Sequence, residues 1–217
     1  MNFLEKITNI IFPPPCGFCN EINNNFLCIN CYNKIKQLKL SAIDTYEFSN
    51  LYFKEHFYLF KYENTIRKQI INYKFNEKSY LYKTFSQILK QDSTFKNFIS
   101  NYDCILSVPI HKKRLHLRGY NQSALIAKDI SLYFNIPYYN DILFKTTHIV
   151  PQSTLNKDAR KTNVHNAFTV KSSLKIANKT VILFEDIFTT GATTNECAKM
   201  LINNGATHIG IVTIAKY

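Results

Sequence analysis

Val181, Ile182, Leu183 and Phe184 form a run of four apolar residues that continues directly into Glu185-Asp186-Ile187-Phe188-Thr189-Thr190-Gly191-Ala192-Thr193. A short apolar run without polar alternation is the pattern of a strand buried on both faces, and such a strand needs a layer of structure on each side. That requirement excludes a one-sided sheet and points to helices packed above and below. A helical pattern opens near Thr193, so a sheet's carboxyl edge feeds a helix N-terminus through a loop rich in hydroxyls and glycine. Such an edge is suited to a phosphate: free N–H groups of the loop and first helical turn face the anion, and the helix dipole favours it.

The paired acids narrow the ligand. A carboxylate pair beside a phosphate nest repels the ligand unless it faces sugar hydroxyls or a hard cation. Glu185 and Asp186 are therefore matched to ribose hydroxyls or Mg²⁺ and are the catalytic candidates, with the phosphate held by Thr189, Thr190, Gly191, Ala192 and Thr193. The string resembles the signature of type I phosphoribosyltransferases, which bind phosphoribosyl pyrophosphate in this way. It lacks the lysine of a P-loop and the spacing of a dinucleotide fingerprint. An ordinary strand–turn–helix with an acidic turn is the alternative.

Near the other end, Cys16-x-x-Cys19 and Cys28-x-x-Cys31 make two knuckles separated by eight residues. Four thiolates on two tight turns suit tetrahedral Zn²⁺, and a closed set with no open position is structural. Two disulfides or a dithiol redox pair would use the same residues. Glu5 and Lys6 interrupt the apolar stretch from Phe3 to Phe12 and no small-residue cleavage site follows, so no secretory leader is expected. That favours a cytoplasmic location, where paired knuckles hold metal more often than disulfides. Cys104 and Cys197 fall in predicted strand and helix, as small buried hydrophobes.

The 217 residues suit one medium domain with an appendage. The expected division is a zinc module over 1–45 and an α/β domain over 46–217, the latter split into a hood-like part (46–102) and a core (103–217). No apolar run reaches the roughly 18 residues of a membrane span. Strand patterns at 55–62, at Asp103–Val108, at 180–184 and at Ile209–Ile214 alternate with helix patterns. Asn64 is placed as the cap of a helix with Ile66, Ile70 and Tyr73 inward, and further helices are expected at 79–90 and 120–135. Ile126, Ala127, Ile130, Tyr133 and Phe134 mark the inner face of the last, and short strand-like pieces fall within 142–170. Gly205 is expected to stop the helix that follows Thr193. The alternation predicts a largely parallel α/β sheet with its ligand at the strands' carboxyl ends.

The net charge of +12 is spread along the chain, which suits a polyanionic partner. A background rich in Lys and Asn, of which there are 24, explains it equally well. Lys112, Lys113, Arg114 and Arg118 place four cations within seven residues after the 103–108 strand, as a basic loop. If that strand neighbours 180–184, Arg118 can fork two oxygens of a pyrophosphate. Residues 46–102 hold 16 Phe or Tyr interleaved with nine Lys or Arg. Such interleaving can stack bases and track a single-stranded backbone. The stripe Ile66, Ile70, Tyr73 assigns most of those aromatics to a core instead.

Pro14-Pro15-Cys16 with the four cysteines, Lys74, Val108-Pro109, Arg118-Gly119-Tyr120-Asn121-Gln122, Gln152, Arg160, Asn163, Ala167-Phe168 and Glu185 to Thr193 together resemble the ComF (ComFC/GntX) family. Glu185 stands where that family usually has Asp, and Tyr120 where Phe is usual. The resemblance implies an N-terminal zinc finger, a phosphoribosyltransferase-like domain and a role in DNA uptake during natural transformation. Its implied ligands are Zn²⁺, phosphoribosyl pyrophosphate or another 5′-phosphorylated ribose with Mg²⁺, single-stranded DNA and DNA-uptake proteins. A loop near 145–165 with Gln152 and Arg160 could close over the site. Three functions stay open: an accessory that handles single-stranded DNA, a transferase on an unidentified acceptor, and a ligand-sensing regulator.

Overall fold

The computed structural model describes residues 12–47, 50–146 and 167–217. Glu5 and Lys6, on which the expectation of no secretory leader rests, Gln152 and Arg160 of the closing loop, and Asn163 lie outside these residues.

The chain begins with the cysteine knuckles and helix α1 (Ile29–Lys36), then strands β1 (Lys39–Thr45) and β2 (Glu55–Lys61). Helices α2 (Asn64–Phe75), α3 (Leu81–Lys90) and α4 (Ser93–Ile99) follow, then β3 (Cys104–Ser107), α5 (Lys112–Arg118) and α6 (Gln122–Phe134). The last part is β4 (Leu143–Lys145), β5 (Phe168–Val170), β6 (Thr180–Phe188), α7 (Ala192–Ile202) and β7 (His208–Lys216). Five strands form one sheet in the order β1-β2-β7-β6-β3, while β4 and β5 pair separately. The β1–β2 pair is antiparallel and the other three pairings are parallel. The fold is thus α/β with a mixed, largely parallel sheet. The sheet extends beyond the strands of the 103–217 segment, because β1 and β2 join it beside β7.

Val181 to Phe184 are at most 1% exposed. Their side chains alternate between two cores, as a strand covered on both faces requires. Ile182 and Phe184 pack with Ile66, Ile70, Phe85 and Ile126 from α2, α3 and α6. Val181 and Leu183 pack with Cys197, Ala198 and Leu201 from α7. The cysteine module is continuous with the first core through Cys16, Leu27 and Ile35. A Cβ on Gly17 would lie 2.3 Å from Thr84 Oγ1, so the first knuckle's backbone sits directly on α3.

Several sequence expectations change. Asn64 is the first residue of α2, at φ 46°, and the capping position belongs to Glu63, whose side chain makes no cap bond. Tyr133 is 60% exposed although the helical period keeps it near the Ile126 and Ile130 face; it lies in the last turn of α6, with its ring against Phe134 and Lys90 Nζ 5.3 Å from its centre. The basic loop is the helix α5, whose N-terminal N–H at Lys113 is capped by His111 Nδ1 at 3.2 Å. Gly205 follows α7 as expected, with its N–H bonded to Ile202 O and the N–H of Ala206 to Leu201 O.

Candidate functional site

The two cysteine knuckles converge. The Sγ atoms of Cys16, Cys19, Cys28 and Cys31 all lie within 4.8 Å of one another, and none is in a disulfide. One four-thiol centre, instead of two separated pairs, fits a single tetrahedral ion and not a pair of bridges. The backbone aims at it: the N–H of Cys28 donates to Cys16 Sγ and that of Cys31 to Cys28 Sγ, both at 3.4 Å. Cys28 is also the N-cap of α1, so the second knuckle is the start of a helix. Burial pushes the Cys16 thiol up, but N–H groups of Cys19, Cys28 and Phe18 outweigh it and hold it at about 7. Burial and the neighbouring thiols drive Cys31 the other way. Zn²⁺ suits this donor set, because it binds thiolates and would relieve their mutual repulsion.

At the carboxyl end of the central strand, β6 runs four residues past its apolar run, to Phe188. Glu185 and Asp186 are therefore strand residues and not loop residues. The ladder to β7 continues through Glu185↔Thr213, Ile187↔Ala215 and Phe188↔Lys216, which is what carries the strand on. Strand alternation turns the two carboxylates to opposite faces. Asp186 has Tyr73, Lys74 and Arg118 within Coulombic reach, while Glu185 has Cys197 and Lys145 and also feels Lys74. Asp186 Oδ1 lies 2.9 Å from Lys74 Nζ. Desolvation, with Asp186 adding to it, pushes Glu185 up to about 8, so it is protonated at neutral pH.

Thr189, Thr190 and Gly191 connect β6 to α7. Gly191 has φ 72°, and a Cβ there would lie 2.6 Å from Phe188 Cζ, so both its conformation and its contact demand glycine. Thr190 Oγ1 accepts from the Ala192 N–H at 3.4 Å. Thr194 Oγ1 donates to Gly191 O at 2.9 Å, and the first helical bond is Asn195 N–H to Gly191 O. The N–H groups of Thr193 and Thr194 precede that bond and have no acceptor in an earlier turn. Thr189, Thr190 and Ala192 are exposed and Thr193 is half-buried, so the loop is open to a ligand.

Beneath the loop, Phe188 stacks on His56 with centroids 4.2 Å apart. His56 is fully buried, with Nε2 2.8 Å from Thr213 Oγ1 and no partner on Nδ1. Burial, then Lys216, lowers it to about 3, so the imidazole is neutral.

The pairing of β3 with β6 brings α5 to this edge. Lys112, Lys113 and Arg114 are exposed, and Leu117 is 85% exposed. Arg118 is half-buried, donates to Gln122 Oε1 at 2.5 Å and lies 5.1 Å from the centre of the Phe75 ring. The segment after α5 is fixed by Asn121, which caps α6 and donates to Val108 O at 3.0 Å.

The loop residues and Arg118, expected at one edge, lie there. Tyr73, Tyr120, Gln122, Lys145 and His56 are neighbours of the site with no local sequence signal for that role. Lys74 is the neighbour that could have been found, since it follows Tyr73 on the stripe Ile66, Ile70, Tyr73 that aims α2 at the sheet. Of the described aromatics in 46–102, eight are buried and only Tyr52 and Phe75 are exposed, so core packing claims most of that stretch. No helix among the described residues is long and apolar enough to cross a membrane.

No protein-family model matches the chain. It is 29% identical to competence protein F of Haemophilus influenzae over 151 residues, 68% of this chain and 66% of that protein. It is 31% identical to the DNA utilization protein YhgH of Escherichia coli over 109 residues, 50% of this chain and 47% of that one. Competence protein ComFC of Streptococcus pneumoniae is 26% identical over 207 residues, 91% of this chain and 87% of the relative. The chain thus spans about half of YhgH and just under two thirds of competence protein F. Similar solved structures include a hypoxanthine phosphoribosyltransferase from Staphylococcus aureus, at TM-score 0.42 and 19% identity over 62% of this chain and 64% of that one. Another is the glutamine phosphoribosylpyrophosphate amidotransferase of B. subtilis, at TM-score 0.41 and 19% identity over 61% of this chain and 25% of that one. With its four-cysteine cluster and mixed, largely parallel α/β sheet, this chain is similar in sequence to the competence and DNA-utilization proteins competence protein F, YhgH and ComFC.

Proposed function

We propose that the chain binds a 5′-phosphorylated ribose, either phosphoribosyl pyrophosphate or the 5′-phosphate end of a DNA strand, on the β6–α7 loop, and handles single-stranded DNA in the cytoplasm during uptake. The loop geometry carries this reading. Gly191 at φ 72° packs on Phe188 and starts a helix whose first N–H groups lie beside exposed Thr189 and Thr190. A phosphate there would meet backbone donors, hydroxyls and a positive dipole end. On this reading Asp186 would accept from a ribose hydroxyl, and Glu185, on the other face, would not share that contact.

The DNA part of the reading is supported by the similarity to competence protein F and YhgH and by charge. Three exposed cations of α5 sit at the edge of the loop, within a chain of net charge +12. Because most aromatics are buried, the strand would be gripped mainly through its phosphates, and its affinity should fall steeply with salt. The cysteine cluster packs into the same core as α2 and α3, which suits Zn²⁺ in a scaffold role. DNA-uptake proteins are the partner class this context suggests.

The residues do not form a cage for Mg²⁺. The two carboxylates face apart, Asp186 already meets an ammonium, and among the described residues the four cysteines are the only cluster of three or more metal-ligating side chains.

Calorimetric titration with ribose 5-phosphate and with a 5′-phosphorylated oligodeoxynucleotide tests the proposal. Binding of both is expected, together with loss of both in Gly191→Val. An oligonucleotide that binds equally with and without its 5′-phosphate, alongside no binding of ribose 5-phosphate, would refute the loop as the site.

A further inference from the structure

We propose that Lys74 is a built-in counter-cation for the ligand edge, so that sugar-phosphate binding on the β6–α7 loop needs no divalent metal. The inference rests on the phosphorylated-ribose reading above and adds how that site balances charge.

Lys74 lies in the last turn of α2 and crosses to the end of β6, with Nζ 2.9 Å from Asp186 Oδ1. The two side chains are only 20% and 12% exposed, so the pair is partly desolvated and is held apart from bulk solvent. Its backbone is fixed from two directions. The Tyr73 hydroxyl donates to Gln122 O at 2.8 Å, and the Tyr120 hydroxyl donates to Tyr73 O. The Tyr73 and Tyr120 rings also stack, with centroids 5.7 Å apart. The ammonium is thus delivered by a rigid helix end and not by a free surface side chain.

Mg²⁺ is usually held by one or two carboxylates together with ligand phosphates and keeps several waters, so at this edge it would need a free carboxylate. Asp186 is the carboxylate that β6 turns to this face and Lys74 already occupies it, while Glu185 is turned to the other face and is protonated at neutral pH. A lysine ammonium has three donors, so one can serve Asp186 while two remain for ligand oxygens. Arg118, within Coulombic reach of Asp186, adds a second fixed positive charge. Asp186, Lys74 and Arg118 together leave this face with a net positive charge before any ion arrives, which suits a phosphate dianion.

The experiment is calorimetric titration of the full zinc-loaded chain with ribose 5-phosphate, once in magnesium-free buffer without chelator and once with millimolar MgCl₂. Wild type is expected to bind with affinities within twofold in the two buffers. Lys74→Gln is expected to lose at least tenfold in the magnesium-free buffer and to recover part of that with MgCl₂, because Asp186 is then open to the ion. Wild-type binding seen only with MgCl₂ would overturn the role of Lys74 and leave the phosphorylated-ribose site standing. Equal binding by Lys74→Gln and wild type in the magnesium-free buffer would overturn it too. No wild-type binding in either buffer would remove the site itself, a result distinct from metal dependence. The wild-type comparison needs no variant, so a Lys74→Gln protein that fails to fold does not shield the proposal.

Discussion

The four-cysteine cluster and the β6–α7 edge are both built from side chains gathered around a small volume, yet they resolve charge in opposite ways. The cluster brings four like groups within 4.8 Å, and they can all become thiolates together only with an added cation among them. The edge separates its two acids across the sheet, gives one a lysine at 2.9 Å and leaves the other protonated. A centre of four thiols suits a structural metal such as zinc. A centre already balanced by its own residues stays free to receive an anion and release it. If this contrast holds, perturbing the first should damage the fold and perturbing the second should damage binding.

The largest effect is expected from the cluster. Cys16→Ser with Cys28→Ser, or treatment with a strong zinc chelator, should lower the melting temperature sharply. The loss should be about 4 kcal/mol or more, the contribution of a ligand held at 1,000 times its dissociation constant. Elemental analysis should find one zinc per chain in the wild type and none in the double variant. The damage should spread to α3, because Gly17 rests on Thr84 and Cys16 and Leu27 belong to the same core as Phe85. Hydrogen exchange reports that spread, and protection of α3 that survives metal loss would break the contrast at its stronger end.

Gly191→Val comes next and should separate stability from binding. The φ of 72° and the 2.6 Å approach of a Cβ to Phe188 Cζ force either strain in the loop or movement of Phe188 off His56. A cost of about 1–3 kcal/mol is expected from a non-glycine residue in that conformation. Ribose 5-phosphate binding should be lost while the zinc content stays at one per chain. Retained binding would show that the loop is not the phosphate cradle.

Much of this contrast was legible in the chain, and the unread part has a common cause. Cysteine spacing and the run from Val181 to Thr193 depend on local sequence, so the cluster, the central strand and the loop could be placed directly. The length of β6 could not, because its last residues are held by a ladder to β7 and not by their own composition. The facing of Glu185 and Asp186 followed from that length: read as loop residues they looked like a pair, and as strand residues they part. Lys74, Gln122 and His56 meet the site only through contacts across the fold, with His56 reaching Thr213 from 157 positions away. The basic segment at 112–118 lacked any buried face to give it a helical period, so α5 was read as a loop. The aromatics of 46–102 suggested a nucleic-acid platform by composition, whereas burial assigns most of them to the core.

The buried groups around the edge should also give it a pH signature. Glu185 holds its proton more tightly folded than unfolded, so between its ordinary 4.5 and about 8 the folded state carries the extra proton and stability falls as pH rises. His56 is the reverse: its folded value of about 3 lies below the ordinary 6.5, so stability falls as pH drops through that interval. The two oppose each other between 4.5 and 6.5, where the profile should be nearly flat. Above it, stability should decline by at most about 1.4 kcal/mol per pH unit, the limit for one proton. Urea denaturation at pH 6, 7 and 8 measures this, and Glu185→Gln should remove the decline. An unchanged slope in that variant would mean that the carboxyl is not desolvated as its surroundings imply.

The smallest effect concerns how the α6 end of the edge is held. Asn121 does two jobs: its Oδ1 accepts from the N–H groups of Ser123 and Ala124, and its Nδ2 donates to Val108 O. The first caps α6, and the second ties that cap to the chain just past β3, so the segment carrying Arg118 is fixed at both ends. Asn121→Ala should cost about 1–2 kcal/mol, the usual range for losing a side-chain cap. Asn121→Asp keeps the acceptor but sets a carboxylate oxygen against Val108 O in place of the donor, so it should recover only part of that stability. If the tie to Val108 also positions Arg118, Asn121→Asp should still bind ribose 5-phosphate more weakly than wild type, by severalfold. Equal binding would confine Asn121 to the helix cap and leave Gln122 and the Phe75 ring as the groups that hold Arg118 in place.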